Sequence, residues 1–382
     1  MDWLIDHRGV RTAWALWAVV LLAFTIVTIA RPGMRSATPD YRKASSAWRS
    51  RLDIYPQHGM AMNYLPQFAI LFSPFERAPL QVGDALWRIL QMAVYVSSIR
   101  RLARAVQPGP KDFFFPVSIL ALPAALSSTM NGQSNMLLAG AMAHATVDLI
   151  SGRRWAVAAW LMIGLVAKPI AIVMILLLVA TDVVTIPWML GGMVLTAAAP
   201  LLFAPWPYVA WQYDSWYHHI LRIAPTVEHR FDDISGLLRT LGVYLPVQLS
   251  MLVRLVAAVL TLGVWWVGSR RLSQPNLAFA LLGLSAGYLM LFNPLTESNS
   301  YVILSHAIAV QAVRLLMVER RRIGWLLLSL TVALGNASFG DPIWPLTKLW
   351  LKPMVAAVFT VWLAYETVSR QPKTDPTCTA LG

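Results

Sequence analysis

Residues 155–180 read WAVAAWLMIGLVAKPIAIVMILLLVA, an apolar run interrupted by one charge, Lys168, next to Pro169. A membrane-crossing helix needs about 20 apolar residues. The Lys168-Pro169 pair divides the run into 155–168 and 169–181, each too short for an ordinary span. Proline lacks an amide donor and pushes the residue before it out of helical backbone. Two half-length helices therefore meet at a break, with an amine at the junction. A lysine inside a span costs about 2.5–3.5 kcal/mol on insertion scales, and ionisable groups at such depth usually serve function. Snorkelling from a span end to the water interface is the ordinary alternative.

The chain around this run is built in the same way. Of 382 residues, 57% are apolar and 13% charged, against about 25% charged in soluble domains. That excludes a water-soluble globule and a disordered chain. The lone cysteine, Cys378, excludes a disulfide within one chain and argues against a cysteine metal site. Apolar runs fall at 12–30, 85–99, 113–129, 135–150, 155–168, 169–181, 183–204, 245–268, 276–292, 301–318, 323–338 and 350–368. The expected fold is an all-α polytopic transmembrane helical bundle of about twelve spans, forming one domain over 1–382. The first run follows Arg8 and Arg11 and exceeds the roughly 7–15 residues of a signal-peptide core, so it is expected to stay as an uncleaved first span. The run 64–75, interrupted by Pro66 and Pro74, is expected to be interfacial or re-entrant. Counted as a full span, it would invert everything downstream.

Lys and Arg number 31 and Asp and Glu 18, so the net charge is 31 − 18 = +13. In a membrane protein such an excess reads first as cytoplasmic anchor charge rather than as a nucleic-acid surface. With the N-terminus inside, Arg100, Arg101, Arg104, Arg153, Arg154, Arg270, Arg271, Arg320, Arg322, Arg370 and Lys373 all fall inside, as does the polar tail 371–382. The first outer loop, 31–62, conflicts with this rule. It carries Arg31, Arg35, Arg42, Lys43, Arg49 and Arg51 against Asp40 and Asp53.

Under this topology, polar residues gather at the outer ends of the spans. Asp40, in Thr38-Pro39-Asp40-Tyr41, opens an expected amphipathic helix over 40–52. It is either an N-cap or a carboxylate at the membrane surface able to act as general base. Asn131-Gly132-Gln133-Ser134-Asn135 is a tight polar turn, and Asn293-Pro294-Leu295-Thr296-Glu297-Ser298-Asn299-Ser300-Tyr301 reads as the lining of a wet cavity around Glu297. Arg254, deep in 245–268, is a second intramembrane charge, either snorkelling or functional. The second large outer loop, 203–244, is rich in Trp and Tyr and carries His218, His219, Glu228, His229, Asp232 and Asp233. An interfacial aromatic belt is its default explanation and sugar stacking the alternative. The histidine spacing fits no zinc signature, so neither metal nor cofactor is expected.

A carboxylate, cations and aromatics on one face of a bilayer suit a lipid phosphate entering sideways and a sugar hydroxyl arriving from water. Lys168, Arg42 and Lys43 would neutralise the phosphate leaving group. Tyr41, Tyr64, Gln133, Asn135, Glu297, Asn299, Tyr301, His218 and His219 would line the site. No Walker A motif, Rossmann fingerprint or Gly-x-Ser-x-Gly elbow is present. A transporter or flippase of a lipid-linked anion would use the same basic face and broken helix, but the two halves of the chain show no repeat. A polymerase of lipid-linked oligosaccharides is a third reading.

The order of Asp40-Tyr41, Asn63-Tyr64-Leu65-Pro66, Gly132-Gln133-Ser134-Asn135, 164–169 and 293–301 resembles the membrane glycosyltransferases of the GT-C fold. It is closest to glycosyltransferase family 87, polyprenol-phosphate-mannose-dependent mannosyltransferases. The resemblance implies inverting transfer of a sugar, mannose or arabinose, from a polyprenyl-phosphate donor to a hydroxyl of a lipid or glycan acceptor. It places the reaction at the outer face of the plasma membrane, the inner membrane of a bacterium. It also implies Asp40 as general base, Lys168 beside the donor phosphate, and Gln133 and Asn135 along the site. Two departures stand out. Leu65 interrupts the consecutive prolines the family commonly has after the tyrosine, and Asn299 stands where the family often has a histidine.

Overall fold

A computed structural model describes residues 5–33, 36–56, 62–106, 111–223, 231–317, 320–338 and 343–370, and no strand occurs among them. The N-terminal part of the chain contains α1 (His7–Ala30), α2 (Thr38–Arg49) and α3 (Pro66–Arg77). A run of apolar helices follows: α4 (Leu80–Ala105), α5 (Phe114–Asn131), α6 (Asn135–Ile150), α7 (Arg154–Ala167), α8 (Ile172–Val179) and α9 (Ile186–Ala198). The segment after α9 holds α10 (Trp206–Ile223) and α11 (Ile234–Thr240). The chain then continues through α12 (Val247–Arg271), α13 (Gln274–Phe292), α14 (Val302–Met317), α15 (Arg321–Ala333), α16 (Trp344–Thr347) and α17 (Leu351–Ser369).

Each expected apolar run contains a helix, and the break at Lys168 is where proline chemistry puts it. Lys168 is extended (φ −154°, ψ 128°), and a 3-10 turn, Pro169–Ala171, leads into α8. The ends of the helices differ from the expectation. α1 begins before residue 12 because Asp6 caps it, its Oδ1 accepting from the Arg8 and Gly9 amides at 2.7 and 3.1 Å. α4 outruns 85–99 because the charges at its ends have partners: Asp84 accepts from Thr38 Oγ1 at 2.7 Å, and Arg101 pairs with Asp148 at 2.6 Å. The amphipathic helix starts at Thr38 rather than at residue 40, with Ala37 as N-cap. Asp40 is therefore in the first helical turn, and the capping role is corrected.

Among the described residues, seven helical segments are long and apolar enough to cross a membrane, and the shorter 135–150, 154–167 and 169–179 are apolar as well. The chain is a multi-pass helical membrane protein. The core lies along α13 and α14: 72% of the apolar window in α13 and 83% of that leading through α14 is buried, against 6% for α12. Hydrophobic side chains on the outside of a bilayer protein face acyl chains, so α12 and α9 form its lipid-facing flank. α13 meets α17 through Gly283 and Gly287, where an added Cβ would overlap Leu363 and Thr360. This is the small-residue spacing that lets membrane helices approach closely. Gly287→Leu should lower stability by about 1–3 kcal/mol through overpacking. An unchanged melting temperature in detergent would show that the two helices separate there at no cost.

The helices alternate in direction, so their ends collect on two faces. On one face lie Arg100 and Arg104 beside Asp112, Arg101 and Arg153 on Asp148, Arg154 on Asp182 and Arg320 on Glu366. The basic loops read from the sequence thus share one end. Lys373 and the 371–382 tail lie outside the described residues. The opposite face carries the polar turns. Some cations of the 31–62 loop are occupied within the fold: Arg49 pairs with Glu76 at 2.7 Å and Arg51 donates to the Phe203 carbonyl at 2.7 Å. For these two residues, structural use accounts for a positive charge that conflicted with the charge rule. Arg35 lies outside the described residues.

Candidate functional site

The polar turns converge at the ends of several helices. α5 terminates at Gly132, whose φ of +69° is left-handed backbone, where L side chains cost roughly 1–2 kcal/mol. This turn is held from α4. Trp87 Nε1 and Gln91 Nε2 donate to the Gly132 carbonyl at 2.8 and 3.2 Å, and the Arg88 guanidinium donates to the Thr129 and Met130 carbonyls. A Cβ at residue 132 would lie 2.9 Å from Arg88 Nη2. Gly132→Ala should therefore cost at least about 1 kcal/mol and reduce activity as Arg88 is displaced. A melting curve equal to wild type would mean that the turn relaxes freely.

The turn sets Gln133 between two opposite charges. Its Oε1 lies 3.4 Å from Lys168 Nζ, and its Nε2 donates to Glu297 Oε2 at 2.8 Å. Asn135 Nδ2 donates to Gln133 Oε1 at 3.1 Å and to Asn299 Oδ1 at 2.8 Å, while Asn299 Nδ2 donates to Glu297 Oε2 at 3.2 Å. Ser134 Oγ ties the turn to the last helical carbonyl of α7, Ala167, at 2.7 Å. Lys168 Nζ also stands 5.9 Å from the centre of the Tyr64 ring, and the Tyr64 and Tyr41 hydroxyls are 2.8 Å apart. Residues from well-separated parts of the sequence thus form one network.

The electrostatics of the network favour an anion. Lys168 is half-buried, and its partners are a neutral amide and an aromatic face, with no carboxylate within ion-pair distance among the described residues. α3, α6, α8 and α14 begin beside Tyr64, at Asn135, just past Lys168 and just past Asn299. Helix N-termini carry unsatisfied amides and partial positive charge. Glu297 supplies the opposing charge, shared through Gln133. Negative charge brought to Lys168 would meet the only strong cation in this network.

Other expected residues take different positions. Asp40 is about one-third exposed, and its carboxylate is 3.5 Å from Lys43, itself largely exposed. It is adjacent to Tyr41, and the amide of Ala37, at the start of its helix, donates to the Asn131 carbonyl at 2.9 Å. Asp40 and Lys168 therefore share one end of the bundle. Arg42 points away from the network. Its Nε is 3.3 Å from Asp84, and its remaining donors meet the carbonyls of Glu76, Ala78, Pro79 and Leu80. The donors of Arg42 are thus spent on Asp84 and on the carbonyls of the α3–α4 turn, so a phosphate role would require breaking those bonds. Tyr301 is fully buried behind the late loop, donating to the Asp232 carbonyl at 2.7 Å.

In the 203–244 segment, His218 is exposed, its Nδ1 3.4 Å from Asp214, and makes no contact with the network among the described residues. His219 is buried; Asn63 Oδ1 lies 2.9 Å from its Nε2, and its ring stacks on Tyr55. Burial lowers its pKa, with Arg222 adding to the effect. Arg254 is largely buried and pairs with the buried Asp233 at 3.7 Å. Glu228 and His229 lie outside the described residues. Among the described residues no three His, Cys, Asp or Glu side chains cluster as metal ligands.

Several positioning groups are not evident from the sequence. Asp84 and Arg88, one helical turn apart, join Thr38, Ser36 and the turn after α5. Their one signal is a charged pair at the mouth of an apolar run. Lys352, fully buried, donates to the Ser298 carbonyl and hydroxyl at 2.8 and 2.7 Å and so fixes the loop that presents Glu297. Asp232, facing it, has its carboxyl raised by burial to about 6.

A family sequence model, that of glycosyltransferase family 87, matches residues 63–294. The matched region includes Tyr64, Gln133, Asn135 and Lys168. No curated protein matches the chain. Sugar transfer, rather than transport, is the activity that accompanies this match. A polytopic membrane bundle with such a site, matched over more than half its length, belongs to glycosyltransferase family 87.

Proposed function

We propose that the protein transfers a sugar, mannose foremost, from a polyprenyl-phosphate donor to a hydroxyl of a lipid or glycan acceptor. The observation that carries this reading is the half-buried Lys168, which lacks an acid partner among the described residues and is surrounded by helix N-termini. A lipid phosphate is the anion most readily delivered to an amine at a helix break inside a bilayer protein. The topology proposed with it has twelve passages, with the basic loops inside and the network at the outer face.

Asp40 takes the proton of the acceptor hydroxyl as its oxygen attacks the sugar C1. The new C1–O bond forms as the C1–O bond to phosphate breaks, with inversion at C1. Polyprenyl phosphate departs carrying the electron pair, and Lys168 and the helix N-termini stabilise its added charge. Gln133 holds Lys168 and Glu297 apart, and Asn135 and Asn299 fix that amide. Lys43 neutralises the approach beside Asp40. His219 and Asn63 border the water side, where an acceptor sugar would arrive.

The test supplies purified protein with mannosyl polyprenyl phosphate or with nucleotide mannose, plus a membrane-lipid acceptor extract. Product from the lipid donor alone is expected. Product from nucleotide mannose alone would overturn the donor assignment.

A further inference from the structure

At the end of the bundle opposite the network, a hollow opens among α12, α13, α14 and α17, lined by Asn276, Gln311, Arg314, Trp362, Glu366 and Arg370. The same α17 carries Lys352 beside the network at one end and Arg370 at the other, so the hollow lies at the other membrane face. Arg314 sits over the Phe279 ring at 4.6 Å and donates to Gln311 Oε1 at 3.3 Å and to Asn276 Oδ1. Its partners are neutral, with no carboxylate among the described residues. Glu366, the acid on the wall, has both oxygens taken by Arg320 at 2.6 and 2.7 Å. The hollow therefore keeps a net positive charge at Arg314 and the exposed Arg370.

A second feature continues from the first. An apolar groove lined by Ala357, Val358, Val361, Trp362 and Tyr365 runs along α17, and Trp362 borders both. At about 1.5 Å per residue, Arg370 and Ala357 are about 20 Å apart along the helix. That is the span from a lipid phosphate well into its acyl chains. At the junction the Trp362 indole N–H is buried with no acceptor among the described residues. A free anion would explain the arginines, but neither the groove nor this donor. We propose that hollow and groove together bind an acidic glycerophospholipid of the leaflet opposite the transferase site. Its phosphate would sit on Arg314 and Arg370, an ester carbonyl would accept from Trp362 Nε1, and an acyl chain would lie along Val361 and Val358.

The test uses the full chain in detergent, titrated separately with phosphatidylglycerol, phosphatidylcholine and inorganic phosphate, with bound lipid counted by native mass spectrometry and melting temperature followed in parallel. Phosphatidylglycerol should bind saturably and raise the melting temperature, whereas phosphatidylcholine and phosphate should not. Arg314→Gln with Arg370→Gln should weaken phosphatidylglycerol binding by about tenfold or more, and Trp362→Phe, which keeps the ring but loses the N–H, should weaken it several-fold. If the double variant does not fold, Arg370→Gln alone, at an exposed helix end, and Trp362→Phe carry the test. Equal binding of the two lipids, or full binding by the variants, would overturn the site. An equal response to inorganic phosphate would reassign it to a free anion and overturn the lipid proposal.

Discussion

Asp40→Asn is expected to lower kcat for sugar transfer by about 10²- to 10⁴-fold, the usual contribution of a positioned general base, with donor affinity and melting temperature unchanged. The substitution keeps the size of the side chain and removes only its ability to hold a proton. The one ion pair it loses among the described residues, with Lys43 at 3.5 Å, is largely solvent-exposed; such pairs contribute about 0–1 kcal/mol. The buried face of the same helix, Tyr41, Ala44, Ser45 and Trp48, is untouched, and Ser45 Oγ still donates to the Ala69 carbonyl at 2.6 Å. Folding and chemistry are therefore separable at this residue. Turnover by Asp40→Asn equal to wild type would remove Asp40 from the mechanism.

Lys168→Met should cost about 10²–10³ in kcat/KM, the scale seen when one preorganised charge donor is removed from an active site. Here, unlike at Asp40, donor affinity should fall as well, because the amine meets the phosphate before and after transfer. Stability should hold or rise. Among the described residues Lys168 has only a 3.4 Å contact with Gln133 and a ring contact to lose, and a partly desolvated ammonium is removed. Loss of activity with preserved donor binding would assign the amine to the fold of the helix break. Loss of the melting transition itself would do the same.

Local backbone rules make much of this site legible in the sequence. Pro169 forces the residue before it out of helix, so the order of residues alone places the break at Lys168. Asn131-Gly132 announces a turn because glycine accepts the left-handed backbone that the chain adopts there. Contacts that depend on tertiary neighbours are not legible. Arg42 looks like a phosphate ligand in a basic loop, yet its donors are taken by Asp84 and by the carbonyls of the turn from α3 into α4. Tyr301 follows the polar loop but turns inward to Asp232. Asp84 and Arg88 read as the frayed start of an apolar span, because nothing local shows that Thr38 and the carbonyls after α5 complete them. Helix ends are misplaced for a related reason. An apolar run marks the greasy middle, whereas the caps and ion pairs that carry a helix onward sit in the polar flanks.

The late loop shows how a missing residue type can be offset. Asn299 cannot exchange a proton at neutral pH, but it donates to Glu297 and accepts from Asn135, so it holds the carboxylate in place. The loop thus contributes charge through Glu297 and geometry through Asn299.

The account stands on a lipid-borne phosphate meeting Lys168, and the direct measurement is a cryo-electron microscopy structure with a non-transferable mannosyl polyprenyl phosphonate bound. Phosphonate oxygens about 3 Å from Lys168 Nζ, with the sugar toward Asp40, are the predicted result. Phosphonate bound away from Lys168, or at the arginine-rich end of the bundle, would contradict it.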